Sequence, residues 1–242
     1  MEPKPQIGSR RTRDRILDIS LRLFNEVGAP NVTTTTIAEA MGISNGNLYY
    51  HFRNKDDIIN SIFVQFEQEM ERRLKLPGDH RPTLGQSWGY LQHMSEFMWS
   101  YRFLYRDINY LLASNRMLET NFKRVVDQKK RFASELCRQF LESEEMEASA
   151  EQVDVITTNM VVLVTYWLSF QFIQHPRQYN DSKQIRSYLH SASYHILSVL
   201  APYLRGQAWQ SFEQLAREFA AAMAQNDQGT RSLEGGAAKR GK

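Results

Sequence analysis

The sequence predicts an all-α protein: an N-terminal three-helix helix-turn-helix domain followed by a larger helical domain. Three observations carry that expectation. Apolar residues recur at helical spacing, and no alternating strand pattern appears after residue 82. Two short helical patterns meet at Gly42-Ile43-Ser44, inside residues 33–52. One clear linker, Leu76-Pro77-Gly78-Asp79-His80-Arg81-Pro82, interrupts the helical patterns and sets the domain boundary.

In a chain of 242 residues, 42% hydrophobic content suffices for a core, and 24% charged residues is ordinary for a soluble protein. The net charge of +3 announces no nucleic-acid partner by itself. The sign is local instead. Residues 1–15 carry Lys4, Arg10, Arg11, Arg13 and Arg15 against Glu2 and Asp14, a basic arm that favours DNA if a reading helix lies beside it. The single cysteine, Cys137, excludes a disulfide framework and fits a reducing compartment; between Leu136 and Phe140 it reads as a packed thiol. The start of the chain is polar with two prolines, unlike a secretory signal. The longest apolar run, residues 160–170, is shorter than the roughly 20 residues of a membrane span. Together these place the chain in the cytoplasm with no membrane partner.

Residues 1–11, with Pro3, Pro5 and Gly8, are expected to be a disordered arm. The first helix follows, capped by Ser9 or Thr12. It presents Ile16, Leu17, Leu21, Phe24 and Val27 on one face and is stopped by Gly28 and Pro30. It opens a DNA-binding domain at 12–76. In the threonine run 33–36, Thr36 matches a capping box with Glu39, but Thr33 and Thr34 are equally good caps. Ile37, Ala38 and Met41 face the core, Gly42 suits a left-handed C-cap, and Ser44 suits the next N-cap. The helix at 45–52 buries Leu48 and Phe52 and presents Asn45, Asn47, Tyr49, Tyr50 and His51, whose amides and aromatic hydroxyls suit base edges and phosphates. Asn54 caps a long fourth helix carrying Ile59, Ile62, Phe63, Phe66, Met70 and Leu74. Lys55 stands at its start against the dipole preference, a misfit explained if it faces a phosphate. Beyond the linker the pattern predicts helices near 83–101, 103–114, 117–141, 148–175, 182–203 and 207–225, forming one domain at 83–225. Residues 226–242, rich in Gly, Ala, Ser and charge, read as a disordered tail.

These residues carry a family resemblance. Ile16-Leu17, Leu23-Phe24, Gly28, the threonine run, Ile37-Ala38-Glu39, Gly42-Ile43-Ser44, Gly46, Leu48-Tyr49-Tyr50-His51-Phe52 and Lys55 stand in the order and spacing of the TetR family of bacterial transcription regulators. The chain resembles that family over about residues 12–60 and departs from it at Asn45, where the family often has lysine. The resemblance implies a DNA-binding repressor. A hydroxyl of Thr33 or Thr34 and the side chains of Tyr49, His51 and Lys55 would meet phosphates. Asn45, Gly46, Asn47 and Tyr50 would lie at the base edges, and Ser44 is a further DNA-binding candidate. Asparagine can bond adenine bidentately, and Gly46 lets the backbone come close. The target would be a palindromic operator in double-stranded DNA, read by a homodimer. The resemblance places the dimer surface on the helices near 148–175 and 182–203. There Val155, Tyr166, Phe170 and Ile173, with Ile185, Leu189, Ala192, Ile196 and Val199, give apolar stripes that would serve equally in the core of one chain.

The larger domain is rich in aromatic residues, which suits either plain core or a cavity for a small apolar or aromatic effector; Trp99, Tyr101, Tyr105 and Trp167 are the candidate lining residues. No cofactor or metal is expected. The six histidines lack metal-ligand spacing, and no phosphate loop, nucleophile elbow or catalytic carboxylate pair is present, so an enzyme is not expected. The alternative is a helical adaptor that binds only protein. It would leave Tyr49, His51 and Lys55 without a role.

Overall fold

The computed structural model describes residues 7–75 and 82–237, with side chains over 11–75 and 82–222. Among the described residues eleven α-helices make the fold and no strand occurs. They are α1 (Ile7–Val27), α2 (Thr34–Met41), α3 (Asn45–His51), α4 (Lys55–Arg73), α5 (Leu84–Ser100), α6 (Phe103–Arg106), α7 (Ile108–Ser114), α8 (Arg116–Glu142), α9 (Ala150–Gln174), α10 (Ser182–Ser198) and α11 (Gly206–Ala237). Most predicted elements are present, with four differences. Helix α1 begins at Ile7, so Ser9 and Thr12 lie within it and neither is its cap. The segment predicted at 103–114 is divided at Asp107. The one predicted at 182–203 ends at Ser198 and resumes as a 3-10 turn. Helix α11 continues to Ala237, past Gln225, where composition predicts a tail. Extending a helix already anchored by buried Ala208 and Phe212 adds a hydrogen bond for each residue fixed, which is far easier than nucleating one. Of the predicted arm and linker, residues 1–6 and 76–81 lie outside the described residues.

The first three helices pack as local sequence dictates. Thr33 is the cap of α2, accepting the Thr36 N–H at 3.1 Å, which settles the choice among the threonines. Gly42 ends α2 in the left-handed region (φ 68°). Ser44 then caps α3 by accepting from Asn47 N–H at 3.2 Å, and Asn54 caps α4 by accepting from Asp57 N–H at 2.8 Å. Ile16, Leu17 and Phe24 of α1 meet Ile37 and Ala38 of α2, Leu48 of α3 and Ile58, Ile59 and Ile62 of α4 in one buried cluster. That cluster does not stop at the linker. It runs along α4 through Phe63 and Phe66 to Phe97, Tyr105 and Phe122, with the Phe66 and Phe97 rings stacked at 5.6 Å. Helix α4 therefore belongs to both domains. A second cluster, around Leu136, Phe140, Ile156, Ile196 and Phe212, fills the far end of the bundle. Cys137 is buried in it, and burial pushes its thiol up to about 12, so it packs as a small hydrophobe.

Val27, predicted on the buried face of α1, is 51% exposed. The last turn of α1 has passed the helix-turn-helix core and rests on α5 and α6, which rotates the inward position to Asn25. The buried Asn25 amide donates to Ser100 O at 2.8 Å and accepts from Phe103 N–H at 3.1 Å. Arg106 closes the same end, donating to Phe24 O at 2.6 Å and Asn25 O at 3.0 Å while it pairs with Asp107 at 3.0 Å. Asp107 in turn accepts the Ala29 N–H at 2.8 Å. Of the last carbonyls of α1, which carry the negative end of its dipole, Asn25 O takes its donor from a cation of the other domain, and Phe24 O adds that cation to the Gly28 N–H it accepts at 3.0 Å.

Helix α9 corrects two expectations. Its 25 residues are long and apolar enough, by length and composition, to cross a bilayer, where the run at 160–170 appeared too short. It is nonetheless packed against α6, α8 and α10. Its outer face keeps Val155, Val162, Tyr166, Phe170 and Ile173 exposed. On α10 the stripe predicted with them turns the other way: Leu189, Ala192 and Ile196 are buried in the protomer, and Ile185 and Val199 pack against the core.

Candidate nucleic-acid interface and effector cavity

The turn Gly42–Ser44 sets α3 against α2 so that Leu48 alone of α3 is fully buried. The opposite face is left to solvent. Asn45, Gly46 and Asn47 are exposed, Tyr49 is 50% exposed and Tyr50 79% exposed. Exposing two tyrosines on a seven-residue helix is unfavourable without a partner, since each ring keeps a large apolar area in water. Neighbouring contacts set the orientation of these side chains. Tyr49 Oη lies 3.1 Å from Thr34 Oγ1, Asn45 Nδ2 donates to Thr35 Oγ1 at 3.4 Å, and the His51 ring meets the Tyr50 ring edge-on at 5.1 Å. The α2 N-terminus and the α3 face therefore form one continuous surface of hydroxyls, amides and aromatic rings. Of the sequence-predicted residues, Thr34, Asn45, Tyr49, Tyr50 and His51 are joined by these contacts, and Thr33, Ser44, Gly46 and Asn47 are exposed.

Two arginines join that surface which motif reasoning had not placed there. Arg13 of α1 stacks 4.7 Å over Phe52 and donates to Ser61 at 3.0 Å. With Arg53 it borders a hollow shared with Tyr49, Tyr50 and His51. Its signal in the sequence was only the basic run at 10–15.

Lys55 is held more closely than predicted. Its ammonium donates to Ala29 O at 2.8 Å and lies 5.8 Å from the Tyr110 ring centroid. The cation at the start of α4 therefore has a partner within the protein, the carbonyl of the turn after α1. An ammonium carries three donors, so two remain.

Because Thr33 Oγ1 is the acceptor that caps α2, Thr33→Ala should lower the unfolding free energy by about 1 kcal/mol, and Thr33→Ser should restore it. Denaturant titration of the two variants tests this. Equal loss in both would show that the cap hydroxyl is not the cause.

The four aromatic residues predicted to line an effector pocket are packed instead. Trp99 is stacked under Arg102 and meets Tyr179, Tyr101 packs on Phe66 and Phe97, and Trp167 donates its indole N–H to Tyr188 O at 2.9 Å. Tyr105 is fully buried. None of the four lines the apolar cavity of the larger domain. That cavity, about 50 Å³, lies among α4, α5, α8, α9 and α10, with Met70, Tyr90, Met94, Lys129 and Met160 in its wall. Lys129 was missed at the sequence level because it sits in the run Asp127-Gln128-Lys129-Lys130-Arg131, which reads as a solvated charged face.

Comparison with known proteins bears on both halves. Residues 16–62 match the family described as bacterial regulatory proteins, tetR family, and residues 65–212 match the family TetR, bacterial transcriptional repressor. The chain is similar to the HTH-type transcriptional regulator AcrR of Shigella flexneri, 36% identical over 84 residues covering 33% of this chain and 39% of the relative. It is 31% identical to the tetracycline repressor protein class D of Escherichia coli over 81 residues, 33% of this chain and 34% of that protein. The match thus spans well under half of each of these relatives. A TetR-family regulator from Marinobacter aquaeolei VT8 resembles the fold over 86% of this chain and 98% of its own, with 31% identity and a TM-score of 0.77. A regulator from Saccharomonospora viridis, solved with choline, shares the fold alone, at 16% identity and a TM-score of 0.60 over 81% of this chain and all (100%) of its own. With both family patterns matched across most of its length, on a helix-turn-helix with an exposed second helix, this chain belongs to the TetR family of bacterial transcriptional regulators.

Proposed function

We propose that the protein is a ligand-responsive repressor that binds a pseudo-palindromic operator as a homodimer and leaves it when a small apolar effector occupies the larger domain. The observation that carries this reading is the exposed face of α3, with two asparagines and two tyrosines turned to solvent beside the capped start of α2. Laid in the major groove, Asn45, Gly46, Asn47 and Tyr50 reach base edges. Ser44 stands at the edge of that row. Thr33, Thr34, Tyr49, His51 and the two remaining donors of Lys55 reach phosphates on either side, and Arg13 and Arg53 add charge at the rim. One such domain covers a single half-site, so two copies are needed. The exposed apolar row of α9, Val155 to Ile173, is the surface on which they pair. The effector site is the cavity bounded by Met70, Met94 and Met160, and Trp99, Tyr101, Tyr105 and Trp167 belong to the packed core instead. Similarity to a tetracycline repressor supports repression as the mode.

Selection from random duplexes at moderate salt should return an inverted repeat, and a pool with no enriched motif would refute the reading. Asn47→Ala should change the preferred base at one position of each half-site. Lys55→Ala should weaken binding to all duplexes alike and reduce the salt slope by about one. Both variants altering the same single base position would show the roles to be wrongly divided.

A further inference from the structure

Helix α8 turns Phe122, Val125, Ala133 and Leu136 inward at helical spacing, and Lys129 falls in the same register. It is only 5% exposed. Its ammonium has one hydrogen-bond partner among the described residues, Tyr105 Oη at 3.2 Å, and lies 4.7 Å from that ring's centroid. No carboxylate pairs with it among the described residues. Burial alone lowers the ammonium from its ordinary range to about 7, which reports an environment that disfavours charge. A methionine or leucine would fill this place at no such cost, so the fold does not require a lysine here.

Lys129 is also the one charged residue in the wall of the effector cavity. Two phenols, Tyr105 as its hydrogen-bond partner and Tyr90 in the cavity wall, are both kept protonated by burial. Tyr105 accepts from Lys129, and its own hydroxyl proton has no acceptor among the described residues. A cation therefore stands among apolar walls, with a phenol as its single partner behind it. The volume of about 50 Å³ holds one or two waters, so a larger guest must displace side chains. Met70, Met94 and Met160 are unbranched and adaptable, suited to re-pack around it. That displacement is what makes a guest favour one conformation over another.

We propose that the cavity takes an apolar monocarboxylate, with its carboxylate on Lys129, which Tyr105 holds from behind, and its hydrocarbon part among Met70, Met94 and Met160. The effect on DNA rests on the repressor reading above, whereas the binding itself does not.

The test uses the full chain and three probes of equal length: octanoate, octan-1-ol and octylamine. Calorimetry near pH 8, where Lys129 is mostly neutral, should find octanoate bound about ten-fold or more tighter than octanol, and octylamine weakest. Pairing with a carboxylate restores the ammonium, so octanoate binding should take up close to one proton, read from buffers of different ionisation heat. Lys129→Met should lose both the preference and the proton uptake. It should also be more stable than the native chain and lack one feature of its pH profile. Between about pH 7 and 10 the native folded state binds fewer protons at this site than the unfolded state, so its stability climbs with pH. Below about 7 the site is charged in both states and its cost is fully present. Equal affinity for octanol and octanoate, no binding of any probe, or a preference surviving in Lys129→Met would each overturn the assignment. Duplex binding is measured separately, with and without octanoate. A chain that prefers octanoate but binds no duplex keeps the ligand site and loses the repressor reading.

Discussion

Arg106→Ala should lower the unfolding free energy by about 3–5 kcal/mol, the range for removing one partner of a buried ion pair. The Arg106 and Asp107 side chains are 6% and 11% exposed, so the remaining Asp107 carboxylate would stay largely out of water. The substitution also removes the donor to Asn25 O and one of the two donors to Phe24 O at the end of α1. Adding Asp107→Asn removes the stranded charge yet keeps an oxygen to accept from Ala29 N–H, so the double variant should recover part of the loss. Chemical denaturation measures both. A single-variant loss below about 1 kcal/mol would mean that water reaches Asp107 and that the two domains are joined elsewhere. This contact ties the helix-turn-helix to α5–α7, so Arg106→Ala should also weaken the link between effector and DNA.

Phe170→Asp should convert the proposed dimer to a monomer and weaken binding to the proposed operator by roughly 100-fold or more, because the second half-site no longer gains from being tethered to the first. Phe170 is 47% exposed on the outer face of α9, between Tyr166 and Ile173, so the substitution disturbs little inside the protomer. A carboxylate placed there would be desolvated against its own copy in the dimer. Sedimentation at micromolar concentration reads the mass, and circular dichroism checks that helix content is unchanged. A variant that still sediments as a dimer would move the interface away from this face of α9.

The local frame was legible from the residues alone. Ser44 and Asn54 as N-caps, Gly42 as a left-handed C-cap, and Leu48 as the buried residue of α3 all follow from contacts within four residues, whereas the choice of Thr33 among the threonines came only with the structure. Where the sequence reading failed, the partner was distant. Asn25 and Val27 exchange roles because α5 and α6, some 75 residues away, cover one side of the last turn of α1. Lys55 meets Ala29 O, 26 residues back, before it meets any phosphate. The α10 stripe could face a second copy or its own core, and periodicity has the same appearance in either case.

By itself, then, the sequence determined the all-α class, the caps and turn of the helix-turn-helix, and the row of polar residues on its second helix. Each depends on short-range hydrogen bonds or on a helical period, which the order of residues specifies directly. Only the tertiary structure decided that Arg106 closes α1, that Trp99, Tyr101, Tyr105 and Trp167 are packed away from the cavity lining, and that Lys129 is buried beside a cavity. Burial and pairing at those places depend on which helix comes to lie opposite, and the charged neighbours Lys130 and Arg131 gave Lys129 the look of a solvated face.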